Sequence, residues 1–133
     1  MNYLVIRNDG IGDLIVSTCG ISQLRIIDKK SNITLICSNR NIGYAKILEK
    51  DGHIDRIYNL DAYNNFSGLF RLISILRKLS FDHTFILKSD WKNLIISLFC
   101  KSKQIHAINP SKISKLHKKT EYKYPLFLSN IIF

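Results

Sequence analysis

The residues best suited to chemistry crowd into one short stretch, Arg7-Asn8-Asp9-Gly10-Ile11-Gly12-Asp13, followed one turn later by Ser17 and Thr18. Asp13 stands where a helical pattern begins. A helix amino terminus tends to keep a carboxylate ionised, so Asp13 could accept a proton from a substrate hydroxyl. The same effect lowers its basicity, which suits a reaction centre that is already cationic, such as glycosyl transfer through an oxocarbenium-like state. A second reading makes Asp13 only a helix cap, and the sequence leaves the two balanced. Asp9 is a competing carboxylate, read as a loop residue that orders Asn8 and the turn. Ser17 and Thr18 either bond the carbonyl four residues back or line a crevice, with the first reading favoured. Arg7 ends a strand and is placed to meet an anionic group. Lys88, Ser89 and Asp90 follow a later strand at the same edge, where open α/β sheets take ligands; a plain Lys–Asp surface pair is the alternative there.

Other chemistries find little support. Gly10 and Gly12 give G-x-G, but Ile15 holds the place of the third glycine of a dinucleotide fingerprint, and Cys37 and Ser38 stand where a ribose-binding acid would end strand two. The two glycines either cradle a ligand or merely permit a tight strand-to-helix turn. No G-x-x-x-x-G-K-[ST], H-E-x-x-H or G-x-S-x-G occurs. His53, His83, His106 and His117 show no metal-ligand spacing, so neither a metal nor a cofactor is expected. Cys19, Cys37 and Cys100 lack any C-x-x-C and are each flanked by apolar residues. They are expected to be buried free thiols in a reducing compartment, not a zinc site or disulfide framework.

The elements that must position these residues alternate. Tyr3 to Arg7 reads as a strand, and a helix starts near Asp13, with Ile11, Leu14, Ile15, Thr18, Cys19, Ile21, Leu24 and Ile27 recurring three to four apart. Asn32 to Cys37 reads as strand, Arg40 to Gly43 as turn, and Tyr44, Ile47 and Leu48 mark a brief helix stopped at Asp51-Gly52. Arg56 to Leu60 is a third strand and Asp61 to Asn65 a loop. A helix follows with Phe66, Leu69, Phe70, Ile73 and Leu76 on one face, broken by Ser80 to Asp82. The apolar run Thr84 to Leu87 is a strand covered on both faces. Trp91 to Cys100 reads as helix, with strand the alternative by propensity around Ile95-Ile96, and Gln104 to Ile108 reads as a fifth strand. This alternation predicts an α/β fold, a Rossmann-like parallel sheet with helices on both faces.

A chain of 133 residues, 46% hydrophobic, can bury a core without staples. Its net charge is +10, and residues 101–133 carry seven lysines against one glutamate. Such a basic end could attract phosphates, nucleic acid or an anionic membrane. Only Tyr122 and Tyr124 interleave it with aromatics, too few for a single-strand platform, so a small nucleic-acid-binding module ranks last. The pattern divides the chain into residues 1–109, a Rossmann-like unit, and 110–133, a basic then apolar tail that ends on an unbroken apolar run as though cut. The longest apolar run, Leu94 to Cys100, is too short to span a bilayer, and no leader is evident. A cytoplasmic chain is expected, with a peripheral contact at the inner face of the inner membrane as an option.

At Ile6-Arg7, Asn8 to Ile11, Gly12-Asp13, Leu14-Ile15 and Ser17-Thr18 the chain resembles the opening of the bacterial lipopolysaccharide heptosyltransferases, glycosyltransferase family 9. Asn32 to Cys37, Asp51 to Leu60 and Phe81 to Leu87 extend the resemblance, which runs from about Asn2 to Asn109. It implies the N-terminal, acceptor-side half of a GT-B type glycosyltransferase. Such an enzyme transfers a heptose from ADP-heptose, or a similar nucleotide sugar, to the phosphorylated lipid A/core oligosaccharide acceptor, with inversion. It further implies Asp13 as general base, with Arg7, Gly10, Gly12, Ser17, Thr18, Lys88 and Asp90 on the acceptor side. Cys19 replaces a family proline and Asn109 a family glycine. The donor half has no counterpart here, so the alternative implied is an inactive truncated remnant, or a subunit lacking the donor domain.

Overall fold

In a computed structural model, residues 1–88 and 90–107 are described. Ten elements alternate: β1 (Asn2–Ile6), α1 (Ile11–Ile27), β2 (Asn32–Cys37), α2 (Ile42–Lys50), β3 (Arg56–Asn59), a 3-10 turn (Leu60–Tyr63), α3 (Phe66–Leu79), β4 (His83–Ile86), α4 (Trp91–Phe99) and β5 (Gln104–Ala107). The five strands form one parallel sheet in the order β3-β2-β1-β4-β5. The Rossmann-like architecture expected from the alternation is the one observed.

Strand pleating explains how both faces of the sheet become core. Tyr3 and Val5 point to one face with Ile33, Leu35 and Phe85, where Leu14, Ile21 and Leu24 of α1 and Ala45 and Leu48 of α2 cover them. Leu4 and Ile6 point to the other face with Ile36 and Ile86, beneath Leu69, Leu72, Ile73 and Leu76 of α3 and Ile96 of α4. Register makes the layers continuous, because Val5 lies between Leu35 and Phe85, and Ile6 between Ile36 and Ile86. Each fully buried leucine or isoleucine contributes roughly 1.5–3 kcal/mol, which secures the central strand on both sides.

The helix ends follow local chemistry. Gly52 adopts φ +81°, and the N–H groups of Gly52 and His53 return to the carbonyls of Glu49 and Leu48. This left-handed stop is the one the Asp51-Gly52 pair predicts. Asn65 and Asp90 cap α3 and α4 by accepting the N–H groups of Gly68 and Asn93.

Three expectations need correction. Helix α1 begins at Ile11, before Asp13, with Gly10 as its cap residue in an extended conformation. Its inward stripe is Leu14, Ser17, Gly20, Ile21 and Leu24, so Ile11, Ile15 and Cys19 fall on the neighbouring stripe and are exposed. Cys19 is therefore not a buried thiol, although Cys37 and Cys100 are. Likewise α3 turns Gly68, Leu69, Leu72, Ile73 and Leu76 inward and leaves Phe66 and Phe70 outside. Residues 108–133, including the basic and apolar tail, and Ser89 lie outside the described residues. Among the described residues no helix is long and apolar enough to cross a membrane.

Candidate functional site

The central strand β1 has β2 on one side and β4 on the other. The helix after β1 packs on one face of the sheet and the helix after β4 on the opposite face. The chain thus diverges at the carboxyl ends of β1 and β4, the switch point whose crevice takes ligands in such sheets. Arg7 and Asp9 enter it from β1, Asp13 from the first turn of α1, and Lys88 from β4.

Arg7 organises this crevice. Its side chain is only 14% exposed, and each nitrogen of the guanidinium is used. Nη1 donates to the carbonyl of Leu87, Nη2 lies 3.1 Å from Asp13 Oδ1, and Nε lies 3.1 Å from Asp9 Oδ1. Both carboxylate contacts are ion pairs that complete no hydrogen bond, and Nε and Asp9 Oδ1 are buried without a hydrogen-bond partner. Two carboxylates thus share one guanidinium. Burial raises the Asp9 carboxyl above its ordinary range; Arg7 opposes that shift and the nearby Asp13 charge reinforces it. Asp13 is the open member, with a side chain 54% exposed against 20% for Asp9.

Asparagine amides hold the loops around this cluster. Asn8 and Asn93 exchange hydrogen bonds of 3.1 and 3.0 Å, and Asn93 also donates to the Lys88 carbonyl at 2.8 Å. Asn41 donates to the Arg7 carbonyl at 2.8 Å and accepts the Ser38 N–H at 2.9 Å. Asn41 and Asn93 are completely buried. Sequence reasoning missed Asn41 and Asn93 and took Asn8 only as a loop residue ordered by Asp9. The signal available was weak: Asn93 is a polar residue in the first turn of an apolar helix, and Asn41 sits inside a stretch read as a turn.

The remaining expected site residues divide. Gly10 is extended at φ −72°, so its backbone does not require glycine, but a Cβ there would stand 3.4 Å from Asp13 Oδ2. A Cβ on Gly12 would meet nothing within 4 Å, so that position leaves open space beside Asp13. Ser17 is buried and donates to the Asp13 carbonyl at 2.8 Å, bracing the first turn from inside. Thr18 donates to the Leu14 carbonyl and meets the Tyr44 hydroxyl of α2. Asp90 accepts the Asn93 N–H and forms no ion pair with Lys88 among the described residues. Geometry therefore gathers Arg7, Asp9, Asp13 and Lys88 at the crevice. It turns Ser17 and Thr18 towards their own helix and α2, and makes Asp90 a cap.

No family profile and no curated protein matches the sequence. Solved structures do match the fold. The chain is similar to a glycosyl transferase family 9 structure from Veillonella parvula, with a TM-score of 0.65 and 20% identity, over 79% of this chain and 32% of that one. It is also similar to the E. coli heptosyltransferase WaaC with ADP, with a TM-score of 0.62 and 11% identity, over 82% of this chain and 36% of that one. The same enzyme with ADP-2-deoxy-2-fluoro heptose gives 0.58 and 11%, over 81% and 35%. The chain spans about a third of the length of these structures, and what it shares with them is the fold.

Proposed function

We propose that this chain is the acceptor-side half of a GT-B type glycosyltransferase related to the family 9 heptosyltransferases, and that it carries no transfer activity until a donor-binding half is supplied. The observation that supports this reading is Arg7 held between Asp9 and Asp13 at the β1/β4 crevice, in a fold shared with heptosyltransferases. The described residues form a single Rossmann-like unit, and the apolar side chains of Ile11, Ile15 and Val16, near Asp13 in the first turns of α1, are exposed.

In this reading Asp13 is the general base. Its open carboxylate takes the proton of the acceptor hydroxyl as that oxygen attacks the anomeric carbon, and the bond to the nucleotide leaving group breaks on the opposite side. Arg7 fixes the carboxylate's orientation through Nη2. The open Asp13 carboxylate places negative charge beside the point where an oxocarbenium-like centre would form. A heptose from an ADP-sugar, a lipopolysaccharide core acceptor, and work at the inner face of the inner membrane are the finer terms of the proposal.

The test is transfer from a nucleotide sugar. The chain alone should give none, and the chain completed with a donor-binding half should transfer. Asp13→Asn in the completed protein should then lower the rate by about 10²–10⁴-fold with an unchanged melting temperature. Unchanged transfer would remove Asp13 from the mechanism, and a completed wild-type protein that stays inert would make the chain a non-catalytic remnant.

A further inference from the structure

A second concavity lies at the same edge of the sheet, between the amino ends of α3 and α4. Its volume is about 390 Å³, within the range of a small-ligand site, and Tyr63, Asn64, Asn65, Phe66, Trp91 and Lys92 line it. Phe66 and Trp91 are 73% and 55% exposed, unusual for side chains of that size outside a binding surface. Polar groups stand unused beside these rings. Among the described residues the Tyr63 hydroxyl, the Asn64 amide, Asn65 Nδ2 and Lys92 Nζ have no hydrogen-bond or ion-pair partner, whereas Asn65 Oδ1 is spent on capping α3.

The wall is also built to a fixed shape. A Cβ on Gly68 would come within 2.8 Å of Asn65 Oδ1 and 3.1 Å of the Tyr63 Cα, so only glycine lets the cap and the Tyr63 backbone close together. On the other side Lys92 adjoins Asn93, whose amide pairs with Asn8 in the Arg7–Asp9 loop. The concavity and the crevice therefore share the first turn of α4.

We infer that this concavity is a subsite for a sugar ring of the acceptor, read by aromatic faces and amide groups and not by phosphate-pairing cations. The inference rests on the glycosyltransferase reading and adds the chemistry of the acceptor to it. A pyranose offers apolar C–H faces to stack on rings and a rim of hydroxyls to pair with amides, a tyrosine hydroxyl and an ammonium group. Among the described residues Lys92 is the one cation of the lining; its Nζ sits 5.6 Å from the Trp91 ring centroid. Arg71, the nearby guanidinium, lies over the Tyr63 ring at 5.5 Å. A lone ammonium group suits one carboxylate on the sugar and lacks the bidentate fork that anchors phosphate.

Trp91 is the only tryptophan in the chain, so its fluorescence reports this concavity directly. The 133-residue chain would be titrated with a methyl hexopyranoside, the matching methyl hexuronide, inorganic phosphate and octanoate. Both glycosides should shift the emission saturably, the hexuronide binding roughly twofold to fivefold tighter, as one exposed ion pair allows. Lys92→Met should erase that difference and keep the neutral glycoside. Phe66→Ala, a change at an exposed position, should weaken both about threefold to tenfold. Silence towards both glycosides overturns the inference, as does a response to phosphate or octanoate alone. A Trp91 emission that is already blue and insensitive to sugar also overturns it and gives the concavity to another occupant. Binding is read here without turnover, so failure of transfer and failure of this subsite are told apart.

Discussion

Both edges of the sheet carry aspartates beside cations, and they use them in opposite ways. At the amino edge the aspartates beside the strand starts are matched among the described residues. Asp82 accepts the Asn2 N–H at 2.8 Å and Lys103 at 2.7 Å, Asp28 takes the terminal ammonium at 2.8 Å, and Asp55 holds Arg25 and the Ile33 N–H at 2.6 and 2.7 Å. These bonds stitch strand starts to the turns before them. At the carboxyl edge Asp9 and Asp13 divide one arginine, and neither contact completes a hydrogen bond. Proton affinity follows the same division. Hydrogen bonding with Lys103 and with the terminal ammonium holds Asp82 and Asp28 below the ordinary range, whereas burial lifts Asp9 above it. The matched aspartates tie strand starts to their turns, whereas the pair on Arg7 stands at the edge where the proposed chemistry lies.

The largest effect should come from the part of the carboxyl edge that is structural. Asn93→Ala removes the partner of Asn8 and of the Lys88 carbonyl inside a fully buried setting, and should cost about 2–3 kcal/mol in urea unfolding. A loss below about 0.5 kcal/mol would mean the two loops are held by something other than these amides.

The aspartate substitutions sharpen the contrast. Asp82→Asn should destabilise by about 1 kcal/mol, since its bonds bridge three elements near solvent. Asp9→Asn should stay within about 0.5 kcal/mol of the parent, or gain, because it removes a carboxylate whose ionised form burial disfavours. In linkage terms, the Asp82 contribution is fully present above its unfolded value near 3.9 and is lost as pH falls through its lowered folded value. Asp9 has the reverse sign: its folded pKa is raised, so acidification through that range relieves a cost.

The smallest expected effect lies in the sheet itself. Tyr3, His83, Phe85 and His106 stack in a row across β1, β4 and β5, and His83 Nδ1 meets His106 Nε2 at 3.2 Å. Burial, then the neighbouring His83, lowers the His106 pKa below 6.5. Stability tied to neutral His106 is therefore full above pH 6.5 and lost as pH falls through the lowered value. The melting temperature should decline between pH 7 and pH 5, and His106→Phe should flatten that decline.

The strand and helix order was legible because the strands are apolar runs bounded by turn residues, as in Thr84 to Leu87 and at the Asp51-Gly52 stop. Asp13 and Arg7 were legible as candidates from the strand–loop–helix context. The helix faces were less so. Phe66, Leu69, Phe70 and Ile73 satisfy a helical period as well as Leu69, Leu72, Ile73 and Leu76 do, and only packing decides which stripe is buried. That choice hid the aromatic wall between α3 and α4. The Asn8–Asn93 pair spans 85 positions, a separation at which local spacing carries no information. Asp9 read as a turn residue, yet enclosure by the surrounding loops makes it the more buried of the two carboxylates.

The most direct measurement is the carboxyl-carbon NMR titration of the aspartates between pH 2 and pH 7. The two-edge account expects Asp28 and Asp82 to titrate below the ordinary aspartate value and Asp9 above it. Asp9 titrating below that value alongside Asp82 would contradict it, because the carboxyl edge would then be as fully matched as the amino edge.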